Sequence, residues 1–115
     1  MSLPLRPAVA AGEWIAISGQ VGVANGVLVE GGINAETRQG LANLVAVLEA
    51  NGLTPADVVK TNVFLVRMDD FAAMNEEYAK VFSTDYPARS AVAVHQLPTG
   101  AVFEIEAWAY RGNAS

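Results

Sequence analysis

The residues best suited to chemistry on a small anion are Arg89, Glu104 and Glu106. A guanidinium is a planar fork that binds a carboxylate through two parallel hydrogen bonds, and a glutamate can position or deprotonate a water. Together they suit hydrolysis of a small carboxylate-bearing substrate. From Ala101 to Tyr110 the even positions are Val102, Glu104, Glu106, Trp108 and Tyr110, and the odd ones are Ala101, Phe103, Ile105, Ala107 and Ala109. Strand alternation puts both carboxylates on one face and a core on the other. The plainer alternative is that the glutamates face solvent, and Arg and Glu also pair structurally in most proteins.

If Leu97 and Gly100 close a hairpin between strands Arg89–His95 and Ala101–Tyr110, antiparallel pairing sets Arg89 opposite Trp108, on the glutamate face. Glu104 then lies four residues along the strand from that point, roughly 13 Å at a normal strand rise. One small ligand can reach both only if a bulge shifts the register or a subunit interface brings them together.

Other candidates are weaker. His95 is the only histidine and there are no cysteines, so a metal site would need mostly carboxylates and none is expected. Asp69 and Asp70 stand where a helix begins, and their charge suits its N-terminus. Ser18 lacks the flanking pattern of a nucleophile elbow, and Gly19, Gly22 and Gly26 match neither standard nucleotide fingerprint.

These residues must be positioned by a mixed set of elements. Trp14–Ser18 reads as a strand, and Gly19 just after it lets the backbone bend or admit a ligand closely. Asn25-Gly26 between two valine-rich runs predicts a hairpin. Asn34 is placed to cap a helix carrying Thr37, Leu41, Leu44, Val45 and Leu48 on one face, with Gly52 ending it. A buried strand over Val58–Val66 follows. Asp69 or Asp70 then caps a second helix whose face is Phe71, Met74, Tyr78, Val81 and Phe82. The pattern predicts an α+β fold, a sheet with both helices packed on one face, and the other face covered by another subunit.

Composition narrows the function classes. The 115 residues suit one domain spanning the whole chain, 1–115. With 52% hydrophobic and only 17% charged residues in so small a chain, some apolar surface is expected to meet a partner copy. The absence of cysteine excludes thiol chemistry. The apolar run at Ala8–Ala11 is too short for a signal peptide and no segment is long enough to span a bilayer, so a cytoplasmic protein without a membrane partner is expected. The net charge of −5 and seven scattered basic residues argue against nucleic acid as a ligand.

Taken in order, several motifs resemble the RidA/YjgF family. They are Ser18-Gly19-Gln20, Gly31-Gly32-Ile33 with Thr37-Arg38-Gln39 and Asn43-Leu44, and Val58-Val59-Lys60-Thr61 with Val63-Phe64-Leu65. Met68-Asp69-Asp70-Phe71-Ala72 with Asn75-Glu76, Pro87-Ala88-Arg89-Ser90, Leu97-Pro98 and Glu104-Ile105-Glu106-Ala107 complete the series. The resemblance runs from about Gly12 to Ala109, nearly the whole chain.

The resemblance implies a chorismate-mutase-like α+β fold, assembled as a homotrimer with a barrel-like centre and ligand sites between subunits. It implies an imine/enamine deaminase that converts reactive intermediates such as 2-aminoacrylate to 2-keto acids and ammonia without a cofactor. The family's carboxylate-binding arginine falls on Arg89 and its water-positioning glutamate on Glu104. Ser18 and Gly19 match the strand that lines the pocket, Asn75 a helix position beside it, and Ala91 a backbone N–H that meets ligand oxygens. The chain differs from the deaminase subgroup in Leu5 where a tyrosine is often found, Ala91 where cysteine is common, and a shorter loop before Pro87. These differences motivate an alternative, a family member that binds small carboxylates such as 2-keto acids without turnover. A ribonuclease, as some relatives have been described, conflicts with the acidic charge.

Overall fold

β-Branched and aromatic residues over Trp14–Val21 form a strand, β2, in the computed structural model, which describes residues 3–83 and 85–113. Thr84, in the short loop before Pro87, and Met1 and Ser2, at the start of the N-terminal stretch, lie outside the described residues. Strand β2 pairs antiparallel with β1 (Ala8–Ala11), and it continues three residues beyond Ser18 because a bulge absorbs the Gly19 bend. Asn25 and Gly26 take φ of 55° and 78°, as a tight hairpin turn requires, and join β3 (Val23–Ala24) to β4 (Val27–Leu28).

Helix α1 spans Gly32–Ala50 and begins earlier than Asn34, which lies inside its first turn. Gly31 and Gly32 take φ of 118° and 73°, so the chain turns into the helix before Asn34 can cap it. Thr37, Leu41, Leu44 and Leu48 of the expected face are buried, Val45 only partly so, and Gly52 follows the helix with φ 75°. Gly40 is mid-helix because the Phe103 ring occupies the space a Cβ would fill.

Strand β5 (Val58–Leu65), helix α2 (Phe71–Phe82) and strand β6 (Ala88–Ala93) form a parallel strand–helix–strand unit. Asp70 holds the N-cap position of α2 without a side-chain bond, contributing charge alone, while Asp69 pairs with Arg67 at 3.2 Å. His95 lies exposed at the bend after β6.

The last strand, β7 (Phe103–Tyr110), overturns the expected hairpin. The sheet order is β1-β2-β7-β5-β6, so β7 lies between β2 and β5 and does not pair with β6. The link through Pro98–Gly100 carries the chain past the end of β5, where Val94 N–H donates to the Leu65 carbonyl and Val66 N–H to that of Val102. Burial explains the choice. Phe103, Ile105, Ala107 and Ala109 are all buried, so β7 needs neighbours on both sides, whereas β6 is largely exposed at the sheet edge. The sheet is mixed, and both helices lie over the face that carries these odd residues, in one core with Ile15, Ile17, Val63 and Leu65. The other face presents Trp14, Val92 and Trp108, each 40–46% exposed.

Candidate functional site

Arg89 faces the helices, not the glutamates. Its register partner on β5 is Thr61, whose own partner on β7 is Ala107, and both are buried against the core. Residues paired across a sheet share a face, so Arg89 lies on the odd face of β7 and the expected placement opposite Trp108 is wrong. The misplacement follows from the hairpin: inserting β5 between the two strands shifts the alignment by one residue, and with a period of two that exchanges the faces.

On that face one stripe of α2 meets the guanidinium. Phe71, Asn75 and Tyr78 recur at helical spacing, and Arg89 Nη1 donates to Asn75 Oδ1 at 2.7 Å. The guanidinium carbon lies 4.8 Å from the Tyr78 ring centroid and 5.4 Å from that of Phe71. The Tyr78 hydroxyl shares a buried hydrogen bond of 2.7 Å with Thr61 Oγ1. Burial pushes the Tyr78 phenol above its ordinary pKa, so at neutral pH it carries no charge. Among the described residues Arg89 forms no salt bridge; an amide and two aromatic faces hold it. The guanidinium borders a cavity of about 320 Å³ that Asn75, Tyr78, Ala79, Tyr86 and Pro87 also line. A cation held by neutral groups at a cavity wall keeps its charge for an anionic ligand. Ala91 lies two residues along the edge strand on the same face, packed against the core. Because Val94 N–H bonds to β5, strand alternation turns the Ala91 amide toward the open edge.

A second cluster occupies the opposite face. Glu104 pairs with Phe64 on β5 and with Val21 on β2, just beyond the bulge between Ile17 and Gln20. A Cβ at Gly19 would fall on the Glu104 carboxylate, so glycine is what lets that side chain lie against β2. Ser18 Oγ donates to the Arg6 carbonyl at 2.6 Å and its N–H to Pro7, tying the N-terminal segment down. Glu106 accepts a 3.0 Å hydrogen bond from Asn62 Nδ2. Partial burial, and then the Glu106 charge, push the Glu104 carboxyl above its ordinary pKa of 4.5. A half-desolvated carboxylate of raised basicity suits a group that takes a proton from water.

The residues singled out in the sequence thus form two sets, Arg89 with Asn75 and Ala91, and Glu104 with Gly19, while Ser18 adjoins Gly19 along the chain with its hydroxyl turned to Arg6. Phe71, Tyr78 and Thr61 join the first set unforeseen, having read as core positions. The signal was Asn75, a polar residue on the same stripe of α2 as Phe71 and Tyr78.

Known proteins resemble this chain over nearly its whole length. Residues 2–111 match the family model described as Endoribonuclease L-PSP. A RutC family protein of Pyrococcus horikoshii is 46% identical over 94% of this chain and 87% of its own length. The human 2-iminobutanoate/2-iminopropanoate deaminase is 42% identical over 95% of this chain and 81% of its own. The crystal structure of the Escherichia coli YjgF gene product superposes with a TM-score of 0.88 at 40% identity, covering 94% of this chain and 88% of that one.

Proposed function

The chain belongs to the RidA/YjgF family, whose model bears the description Endoribonuclease L-PSP, and from that premise we propose that it is an imine/enamine deaminase. It hydrolyses reactive 2-imino acids to 2-keto acids and ammonia. The observation that carries this reading is the uncompensated guanidinium of Arg89 at a cavity wall, matched to the carboxylate such substrates bear. The human relative is named for an activity of this kind.

In the proposed mechanism an enamine first tautomerises to its imine. Arg89 binds the carboxylate, with Asn75 bracing the guanidinium and the Ala91 amide available to a substrate oxygen. The Glu104 carboxylate takes a proton from a water whose oxygen bonds to the imine carbon and passes it to the imine nitrogen, giving the carbinolamine. The carbinolamine then collapses: its hydroxyl proton goes to Glu104, the C=O forms, the C–N bond breaks and Glu104 returns that proton to the leaving nitrogen, which departs as ammonia. Protons balance and no oxidant is needed. The imine carbon is already electrophilic, so no cofactor enters the scheme.

Because Arg89 and Glu104 face opposite ways in one protomer, a site containing both must be built from two copies. We place it between subunits of a homotrimer whose open sheet faces line a barrel-like centre, which would cover Trp14, Val92 and Trp108. Ser18 and Gly19 line the Glu104 side. The net charge of −5 and scattered basic residues favour a small metabolite over nucleic acid, despite the family description. No helix among the described residues is long and apolar enough to cross a membrane, and we propose a cytoplasmic protein.

The test couples an amino-acid oxidase to imine detection and follows imine decay with wild-type protein and Arg89→Ala. Accelerated decay that the substitution abolishes supports the deaminase. No acceleration, with calorimetric binding of 2-keto acids, supports the non-catalytic carboxylate binder instead.

A further inference from the structure

Thr61 is wholly buried on the central part of the sheet, between Val63 and Val58 on the same strand and among apolar side chains. A valine would fill its volume without a hydroxyl to desolvate, so packing alone gives no reason for threonine there. The hydroxyl has one partner, the Tyr78 phenol at 2.7 Å, and the two satisfy each other. Thr61 is also the register partner of Arg89 on the adjacent strand. The Tyr78 ring therefore has its hydroxyl fixed beside the base of the arginine and its face 4.8 Å from the guanidinium. Phe82, with a centroid 4.6 Å from that of Tyr78, packs on the same ring.

We propose that Thr61 and Tyr78 are positioning residues for Arg89: their buried hydroxyl pair sets the aromatic surface that orients the guanidinium for a substrate carboxylate. The inference rests on the reading of Arg89 as carboxylate clamp. Among the described residues Arg89 has a single side-chain hydrogen bond, to Asn75, so the plane of its fork depends on the rings it lies against. Bidentate recognition needs that plane to match the ligand. On this proposal Tyr78, which also lines the cavity, acts through Arg89 and not on the reacting atoms.

Four variants test the proposal: Thr61→Val, Tyr78→Phe, the double variant and Thr61→Ser. Each is measured for thermal melting, kcat and KM with an imine substrate, and calorimetric Kd for 2-oxobutanoate. Each single loss leaves a buried hydroxyl unpaired and lowers the melting temperature, whereas the double variant removes both hydroxyls and recovers most of that loss. If the pair positions Arg89, KM and Kd rise roughly three- to tenfold in both singles and stay raised in the double. Meanwhile kcat changes less than twofold, and Thr61→Ser, which keeps the hydroxyl, retains wild-type KM and Kd even though loss of the buried methyl lowers its melting temperature. Recovery of KM and Kd together with stability in the double variant would overturn the proposal and leave the pair a packing feature. Should wild type bind 2-oxobutanoate without turning over any imine, the deaminase reading fails alone and the Kd series still decides the positioning role. If wild type binds no 2-oxobutanoate, the clamp and the proposal fail together.

Discussion

Arg89 and Glu104 project from opposite faces of one sheet. Arg89 aligns through Thr61 with Ala107 on the helix-covered side, and Glu104 stands beside Phe64 on the open side. On the proposed reading each protomer therefore contributes two half-sites, and this geometry makes the first prediction specific.

Arg89→Ala and Glu104→Gln proteins should each be nearly inactive alone. When the two are unfolded together and refolded as a mixture, about one quarter of wild-type activity should return, because random assembly of a cyclic trimer leaves that share of interfaces with both groups intact. Imine hydrolysis by the mixture against each variant alone is the measurement. A mixture as dead as its parents would mean that the two residues do not meet across an interface.

If Glu104 is the proposed general base, its raised pKa should set the acid side of the pH profile. Its working form is the carboxylate, so kcat/KM should fall as pH drops through a value above the ordinary 4.5. Glu106→Gln removes the neighbouring negative charge and should move that limb to lower pH, though not all the way, since burial is the larger cause. Profiles of the two proteins that superimpose would refute the assigned role of Glu104.

Gly19→Ala should lower kcat/KM about ten- to a hundredfold, because the new methyl displaces the Glu104 carboxylate. Gly19 does not use the left-handed backbone region, so the fold accepts alanine and the melting temperature should change little. Steady-state kinetics beside a melting curve separates the two effects, and unchanged kinetics would place the working carboxylate elsewhere.

Stability has its own carboxylate. Glu77 on α2, with its side chain only 6% exposed, accepts bonds from Arg38 Nε at 3.2 Å and Nη2 at 3.3 Å and from Lys80 at 3.3 Å. The Arg38 hydrogen bond, opposed by burial and reinforced by Lys80, holds the Glu77 carboxyl below its usual pKa. A depressed native pKa stabilises the fold above the unfolded value near 4.5, and that contribution is lost as pH falls through the lower native value. Glu77→Gln should therefore cost about 1–2 kcal/mol at neutral pH, discounted because both cations are mostly exposed. Urea unfolding at several pH values should show the difference shrinking as the acid range is entered; a constant difference would mean that the charge is irrelevant.

Much of this could be read locally. The alternation of Ala101–Tyr110 assigned the core face of β7, Asn25-Gly26 a hairpin, and the spacing of Leu41, Leu44 and Leu48 the inner face of α1, because each depends on neighbours within a few residues. The motif series around Arg89 and Glu104 likewise identified the family, since it is carried by residue types in order. Asn75 and Gly19, named from the motifs, lie one bonded to Arg89 and the other under Glu104.

Strand neighbours were a different matter. Nothing local in Leu97–Gly100 says whether the chain turns back on β6 or crosses β5, and that is decided by where the buried face of β7 finds most cover. The error moved Arg89 to the wrong face, because a shift of one residue in a period of two exchanges inside for outside. The Thr61–Tyr78 pair was hidden for a similar reason: two residues on different elements, each ordinary in its own pattern, become a site only when a strand and a helix are packed together. Residue types and their order determined the chemistry available to this protein, and long-range packing decided which groups share a face, since burial is settled over the whole sheet.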